Sequence, residues 1–183
     1  IWKCYEKLIY NILKFCYINN QPFNTQNENE LGVSTSKNDI QCSFNEINNI
    51  GIEIKKYNTP DWMQCCIKYD FNTKTWFASN KGKIPIKSRR IFNDILNNLK
   101  LFNGDVPPFL NKQITHQEWL NIKKTTNKWN DFYINIPNNT IRKLYLEKDC
   151  QYIQISNNFG LYHLGNDICN FDVTLFEIDQ QLR

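Results

Sequence analysis

The sequence predicts a mixed fold, α/β in composition and α+β in arrangement, and three observations point to it. Apolar residues recur at helical spacing in several separate stretches. Others alternate with polar partners over five or six residues, the period of a strand. The two patterns follow one another along 183 residues without an internal repeat. Hydrophobic residues make up 41% and aromatic residues 14%, enough for a single core of ordinary size without disulfide staples.

The first helix is expected over 2–18, with Tyr5, Leu8, Ile9, Ile12, Phe15 and Cys16 on its apolar side. A polar link from Asn19 to Asn38 follows, too poor in apolar residues to pack by itself. Two strands, 39–44 and 50–57, are joined by the Asn-rich turn Asn45–Asn49 and read as a hairpin. Pro60 and Asp61 suit a helix start, and a helix is predicted through about Tyr69, followed by a strand at 75–78. Residues 91–102 carry Ile91, Phe92, Ile95, Leu96, Leu99 and Phe102 in helical register, with Asn103-Gly104 as a stop. Thr115-His-Gln-Glu118 is a capping box for another helix, which places His116 in a first turn at the surface. A brief strand at 133–136, a helix over 139–148, a hairpin of 151–156 with 161–164 and a strand at 173–178 complete the chain. His163 falls in the hairpin's second strand, where a hydrogen-bonded structural role is the simpler expectation.

Composition excludes several function classes. Asn, Ile and Lys number 28, 23 and 18, while Ala occurs once, so the net charge of +4 partly reflects A+T-rich coding and argues only weakly for a polyanionic partner. Seven cysteines without a C-x-x-C pair read as free thiols in a reducing compartment, and two distant histidines make a zinc site unexpected. No apolar run reaches the length of a membrane span, and the charged residues Lys3, Glu6, Lys7 and Lys14 exclude a secretory signal at the start, so an intracellular, cytoplasmic location is expected. A chain that opens on Ile1 is expected to be part of a longer protein, from a microbe or a virus.

The chemistry concentrates in Asn49-Asn-Ile-Gly-Ile-Glu-Ile-Lys-Lys-Tyr57. Alternation puts Ile50, Ile52 and Ile54 on one face of a strand and Glu53 and Lys55 on the other. Hairpin pairing brings Asp39 toward Glu53. Two carboxylates and a lysine on one sheet edge can hold Mg²⁺ and position water against a phosphodiester. Downstream, Lys81, Lys83, Lys87, Arg89 and Arg90 form a basic run without an acid before Asp94, either a solvated loop or a set of phosphate contacts.

This constellation resembles the PD-(D/E)xK nuclease superfamily, the restriction-endonuclease-like fold, in which a helix precedes a hairpin carrying an acid and then Glu-x-Lys. The resemblance covers about the first eighty residues. Here Asn38-Asp39 stands where the family often has Pro-Asp, and the literal Pro60-Asp61 follows Glu53-Ile54-Lys55 instead of preceding it. It implies a core of helix, β-hairpin, helix and strand over 1–102, then helices and a C-terminal β-hairpin over 103–183, packed on the core as one domain. It implies a Mg²⁺-dependent nuclease acting on DNA, with Asp39 and Glu53 as metal ligands and Lys55 orienting the attacking water. Gln64, on the predicted following helix, would position water or phosphate, and Glu6 on the first helix is the candidate for a further ligand. Substitution of Glu53 or Lys55 is expected to leave the fold intact. A non-catalytic nucleic-acid-binding module and a structural or partner-binding protein are the alternatives, and the oligomeric state, a homodimer included, stays open.

Overall fold

A computed structural model describes residues 2–25, 38–59, 63–79, 86–110, 114–157 and 159–183. The fold is a mixed α+β one, with four α-helices among the described residues around a six-stranded sheet. No helix there is long and apolar enough to cross a membrane.

Helix α1 (Trp2–Lys14) leads into β1 (Tyr17–Ile18) and β2 (Gln21–Thr25). Its buried stripe differs by a rotation from the expected one. Tyr5, Ile9, Tyr10 and Leu13 pack inward, while Leu8, Ile12 and Phe15 are exposed, because the apolar arc of the helix is wider than the strip the sheet covers. Strand β2 falls in the stretch expected to be an unpacked polar link. It pairs antiparallel with β3 (Ile40–Phe44), and Phe23 alone supplies its buried anchor, opposite Phe44.

Strand β3 then pairs antiparallel with β4 (Ile47–Lys55), forming the expected hairpin. Its turn is tighter than expected, since Phe44 is already paired with Ile47 and only Asn45 and Glu46 lie between. Asn48 and Asn49 belong to β4, where the pairing shifts by one residue and Asn49 adopts φ 59°, a conformation Asn tolerates better than most residues.

The segment expected as a helix through Tyr69 folds otherwise. Residues 60–62 lie outside the described part, but β5 (Ile67–Asp70) is a strand and pairs with β6 (Thr75–Ala78) in a separate hairpin. Asp70 accepts hydrogen bonds from the backbone N–H groups of Asn72 and Thr73, which closes the turn. Upstream, Met63 and Cys65 exchange backbone bonds with Arg183, at the other end of the chain. A helix there would forfeit those bonds. Tertiary pairing overrides the local start signal.

Helix α2 (Ile86–Asn97) begins earlier than expected and buries Phe92 and Leu96. Helix α3 (His116–Thr125) has the reciprocal Thr115–Glu118 capping box read from the sequence, with His116 exposed in its first turn. Trp129 lies beyond it. Strand β7 (Ile134–Ile136) pairs with β10 (Gln180–Leu182), so the last ladder forms later than the expected 173–178 strand. That earlier segment contributes two backbone bonds to His163 instead, and Phe176 is buried.

Helix α4 (Asn138–Leu146) buries Ile141, Leu144 and Tyr145 as expected. It delivers the chain to β8 (Tyr152–Ile155), which lies parallel to β4, and β9 (Gly160–His163) closes the sheet in the order β1-β2-β3-β4-β8-β9. His163 sits in β9 and bonds the Gly165 carbonyl through Nδ1, the structural role expected of it. All seven cysteines are free.

Both faces of β4 are covered. Ile50, Ile52 and Ile54 face α1 and pack with Tyr10, Ile40 and Tyr152. On the opposite face Ile153 and Ile155 of β8 pack against Phe92, Ile141, Leu144 and Tyr145 from α2 and α4. Gly51 allows the close approach that starts the parallel pairing: a Cβ there would lie 2.0 Å from the Asp149 carbonyl oxygen. Gly51→Ala is therefore expected to lose roughly 3 kcal/mol or more, since backbone has to move to admit the methyl group. Urea unfolding of the variant against the wild type measures it.

Candidate active site

The register Ile40↔Ile52 sets Asp39 across from Glu53 at the mouth of the hairpin, on the face that looks toward α4. Lys55 lies two residues further along the same face. All three residues expected to share a site therefore meet. Asp39 is half-buried and its Oδ2 accepts a hydrogen bond from the Ile54 N–H at 2.8 Å, which pins the carboxylate to β4.

Glu53 is more deeply placed than a strand-surface reading allows. It is 1% exposed. Lys55 Nζ donates to Oε1 at 2.6 Å, and Lys148 Nζ donates to Oε1 and Oε2 at 3.0 and 3.1 Å. Cys150 Sγ approaches Oε2 at 3.5 Å. Both ammonium groups stand 5.5 Å from the centroid of the Tyr145 ring, which is fully buried beneath them. The expectation that both side chains lie off the core does not hold: removing Glu53 strands two largely buried ammonium groups, and removing Lys55 leaves Glu53 with Lys148 alone.

Lys148 and Tyr145 went unrecognised in the sequence. Tyr145 reads as an ordinary core position of the 139–148 helix, and Lys148 as the charged residue at its end, whereas α4 stops at Leu146 and Lys148 lies in the turn beyond. Only the parallel docking of β8 beside β4 brings the turn 147–150 onto Glu53.

Electrostatics separate the two carboxyls. Burial works against the charge on Glu53, but Lys55 and Lys148 outweigh it and bring the group down from 4.5 to about 2. Burial pushes Asp39 up from 3.8 to about 7, helped by the Glu53 charge opposite and resisted by Lys55, the Ile54 N–H and Lys148. Burial also works against the Lys55 ammonium, yet Glu53, Tyr145 and Asp39 hold it well above its usual range. Burial, with Glu53 adding to it, drives the Cys150 thiol upward, so it stays protonated.

The remaining expected residues divide. Gln64 lies on an irregular segment and lines a separate aromatic cavity that contains none of the carboxylate–lysine residues, so the structure does not bring it to the cluster. Glu6 is half-buried on α1, and among the described residues no group of three His, Cys, Asp or Glu side chains converges. Lys81 and Lys83 lie outside the described residues. Lys87, Arg89 and Arg90 occupy the first turns of α2, where Lys87 stands 3.7 Å from Glu147, the neighbour of Lys148. The basic turn therefore borders the cluster.

Mg²⁺ is commonly held by one or two carboxylates with water completing its shell. Asp39, Glu53 and the Ile54 carbonyl match that donor chemistry. Admission of an ion requires Lys148 or Lys55 to give up part of its contact with Glu53. Compared with protein-family models, curated proteins and solved structures, the chain matches none.

Two outcomes follow from the charges. Glu53 stabilises the fold above about pH 4.5, and that contribution is lost as pH falls toward 2; Asp39 adds a penalty that grows as pH rises from 3.8 to about 7. The wild type is expected to be more stable at pH 5.5 than at pH 8 by about 1–2 kcal/mol, and Asp39→Asn should flatten that difference in urea unfolding. Glu53→Gln, which strands two buried lysines, should cost about 3 kcal/mol at pH 7, read from the same titrations.

Proposed function

We propose that the chain is a Mg²⁺-dependent nuclease of the restriction-endonuclease-like kind, hydrolysing phosphodiester bonds of DNA at Asp39, Glu53 and Lys55. The observation that carries this reading is the cross-strand meeting of the two carboxylates with Lys55 on the same face. Further support comes from part of the topology: α1 packs against the sheet that holds the β3–β4 hairpin, and, after the intervening β5, β6, α2, α3 and β7, helix α4 leads into strand β8, parallel to β4. The helix and hairpin expected at the start of the core are present, whereas 67–70 and 75–78 form a separate hairpin and the helix and strand beside β4 come from α4 and β8, much later in the chain.

Asp39 and Glu53 would hold the ion together with the Ile54 carbonyl. When bound, Mg²⁺ supplies positive charge against the charge that develops on the phosphoryl oxygens. Lys55, kept protonated beside Glu53, orients the water and donates to a phosphate oxygen. Lys148 compensates Glu53 while no ion is held, and its ammonium can turn to the substrate once the carboxylate is engaged elsewhere. Lys87, Arg89 and Arg90 hold the flanking backbone phosphates. Gln64 has no part in this assignment.

A second reading is favoured by the burial of Glu53. With both oxygens taken by lysines, the cluster can serve as a brace that fixes the 147–150 turn to the sheet, in a module that binds nucleic acid through α2 without cutting it.

Cleavage of DNA with Mg²⁺, against the same mixture with EDTA, separates the two. Asp39→Asn, the variant expected to fold well, should lower the cutting rate at pH 8 by about 10²-fold or more. Undiminished cutting by Asp39→Asn removes the nuclease site from these residues. Salt-sensitive retention of DNA with no cutting at any metal concentration favours the binding module.

A further inference from the structure

Beside α2, lined by its Phe92, Ile95 and Leu96, lies a cavity of about 350 Å³, within the range of small-molecule sites. Its wall is formed largely by aromatic rings, among them Trp76, Phe102, Phe109, Trp129 and Phe132. They come from four separated stretches of the chain. Phe102 is the hub, with ring centroids 5.4 Å from Trp76, 5.2 Å from Trp129 and 5.7 Å from Phe132. Its backbone adopts φ 51° and ψ 30°. A bulky residue rarely takes the left-handed region, and the strain is tolerated where the surroundings hold a side chain in a required place.

The rings stay half-buried and line an opening instead of closing into solid core. Polar groups gather at one side: Gln64, Asn130, Asp131 and Arg183 also line the cavity. Amide and carboxylate groups match the donor and acceptor edge of a heterocyclic base. Arg183 Nε stands 3.8 Å from Asp131, whose side chain is 81% exposed, so the contact is a weak one that a phosphate can displace.

We propose that this cavity binds the base of a nucleotide, stacked against the rings of Trp76, Phe102 and Trp129, with Arg183 on its phosphate. A fatty acid would use the apolar wall and pair its carboxylate with Arg183 but leave the amides of Gln64 and Asn130 unmatched. A planar heterocycle uses both, and base–aromatic stacking tolerates any base. The source is either an unpaired nucleotide of a strand or a free nucleotide. The proposal stands on residues apart from Asp39, Glu53 and Lys55. Measured in EDTA, binding is read without cleavage, so its failure and that of the nuclease reading are distinguishable.

The test is tryptophan fluorescence of the full chain in EDTA, titrated with adenosine monophosphate, adenosine, a short oligodeoxyadenylate and octanoate. Saturable quenching by the three adenine ligands and none by octanoate is the expected result. Tighter binding of the oligonucleotide assigns the site to a strand, and tighter binding of the monophosphate to a free nucleotide. Arg183→Ala should weaken the monophosphate by about tenfold and leave adenosine unchanged. Phe102→Leu, which keeps the bulk but not the ring, should weaken both by about tenfold. Binding of octanoate without adenine ligands, or adenine binding unaffected by both substitutions, overturns the proposal.

Discussion

A carboxylate with 1% of its surface exposed cannot keep its charge without compensation, and Glu53 keeps it because two ammonium groups reach it from different parts of the chain. Lys55 belongs to the same strand. Lys148 arrives from the turn after α4, and with it come Tyr145 beneath the two amines and Cys150 at the third side. The docking of α4 and the parallel alignment of β8 beside β4 are thus tied to the same charge that the proposed chemistry needs. Glu53 is held by the fold and holds the fold.

That coupling gives the two acids different jobs. Glu53, flanked by amines, is ionised over the whole physiological range, whereas Asp39 sits at about 7 and exchanges its proton near neutrality. A cation entering between them would have to compete with a proton at Asp39 and with an ammonium at Glu53. The first competition favours the ion as pH rises through neutrality, whereas the ammonium of Lys55 stays charged and must be displaced at any such pH.

The two faces of the central sheet divide the labour. One face is an apolar seam of isoleucines closed by α1 and by the Tyr152 side chain, whose hydroxyl donates to Asp167 and accepts from the Cys169 N–H. The opposite face carries the ion cluster at the end of a second apolar seam. Beside α2, the aromatic cavity is built by the β5–β6 hairpin, the 101–110 segment and the strand pair at the chain's end. Helix α2 joins the two, with Lys87 of its first turn toward Glu147 and its later turns, Phe92 to Leu96, lining the cavity.

Local pattern alone was sufficient for α1, the β3–β4 hairpin, the Thr115–Glu118 cap, α4 and the β8–β9 hairpin. Each is specified by side chains within a few residues of one another: an apolar period, a capping pair, an Asn turn. The meeting of Asp39, Glu53 and Lys55 was legible for the same reason, since alternation and a short hairpin connection determine it. What the tertiary structure decided depends on partners far away in the chain. Strand β2 exists because β3 offers it an edge, and residues 63–66 run extended because Arg183 pairs with Met63 and Cys65. Lys148 finds Glu53 because a parallel neighbour was seated beside β4. Local pattern carries no register for such pairings: nothing near Lys148 announces a carboxylate almost a hundred residues upstream, and burial on both faces of β4 follows from which helices dock there.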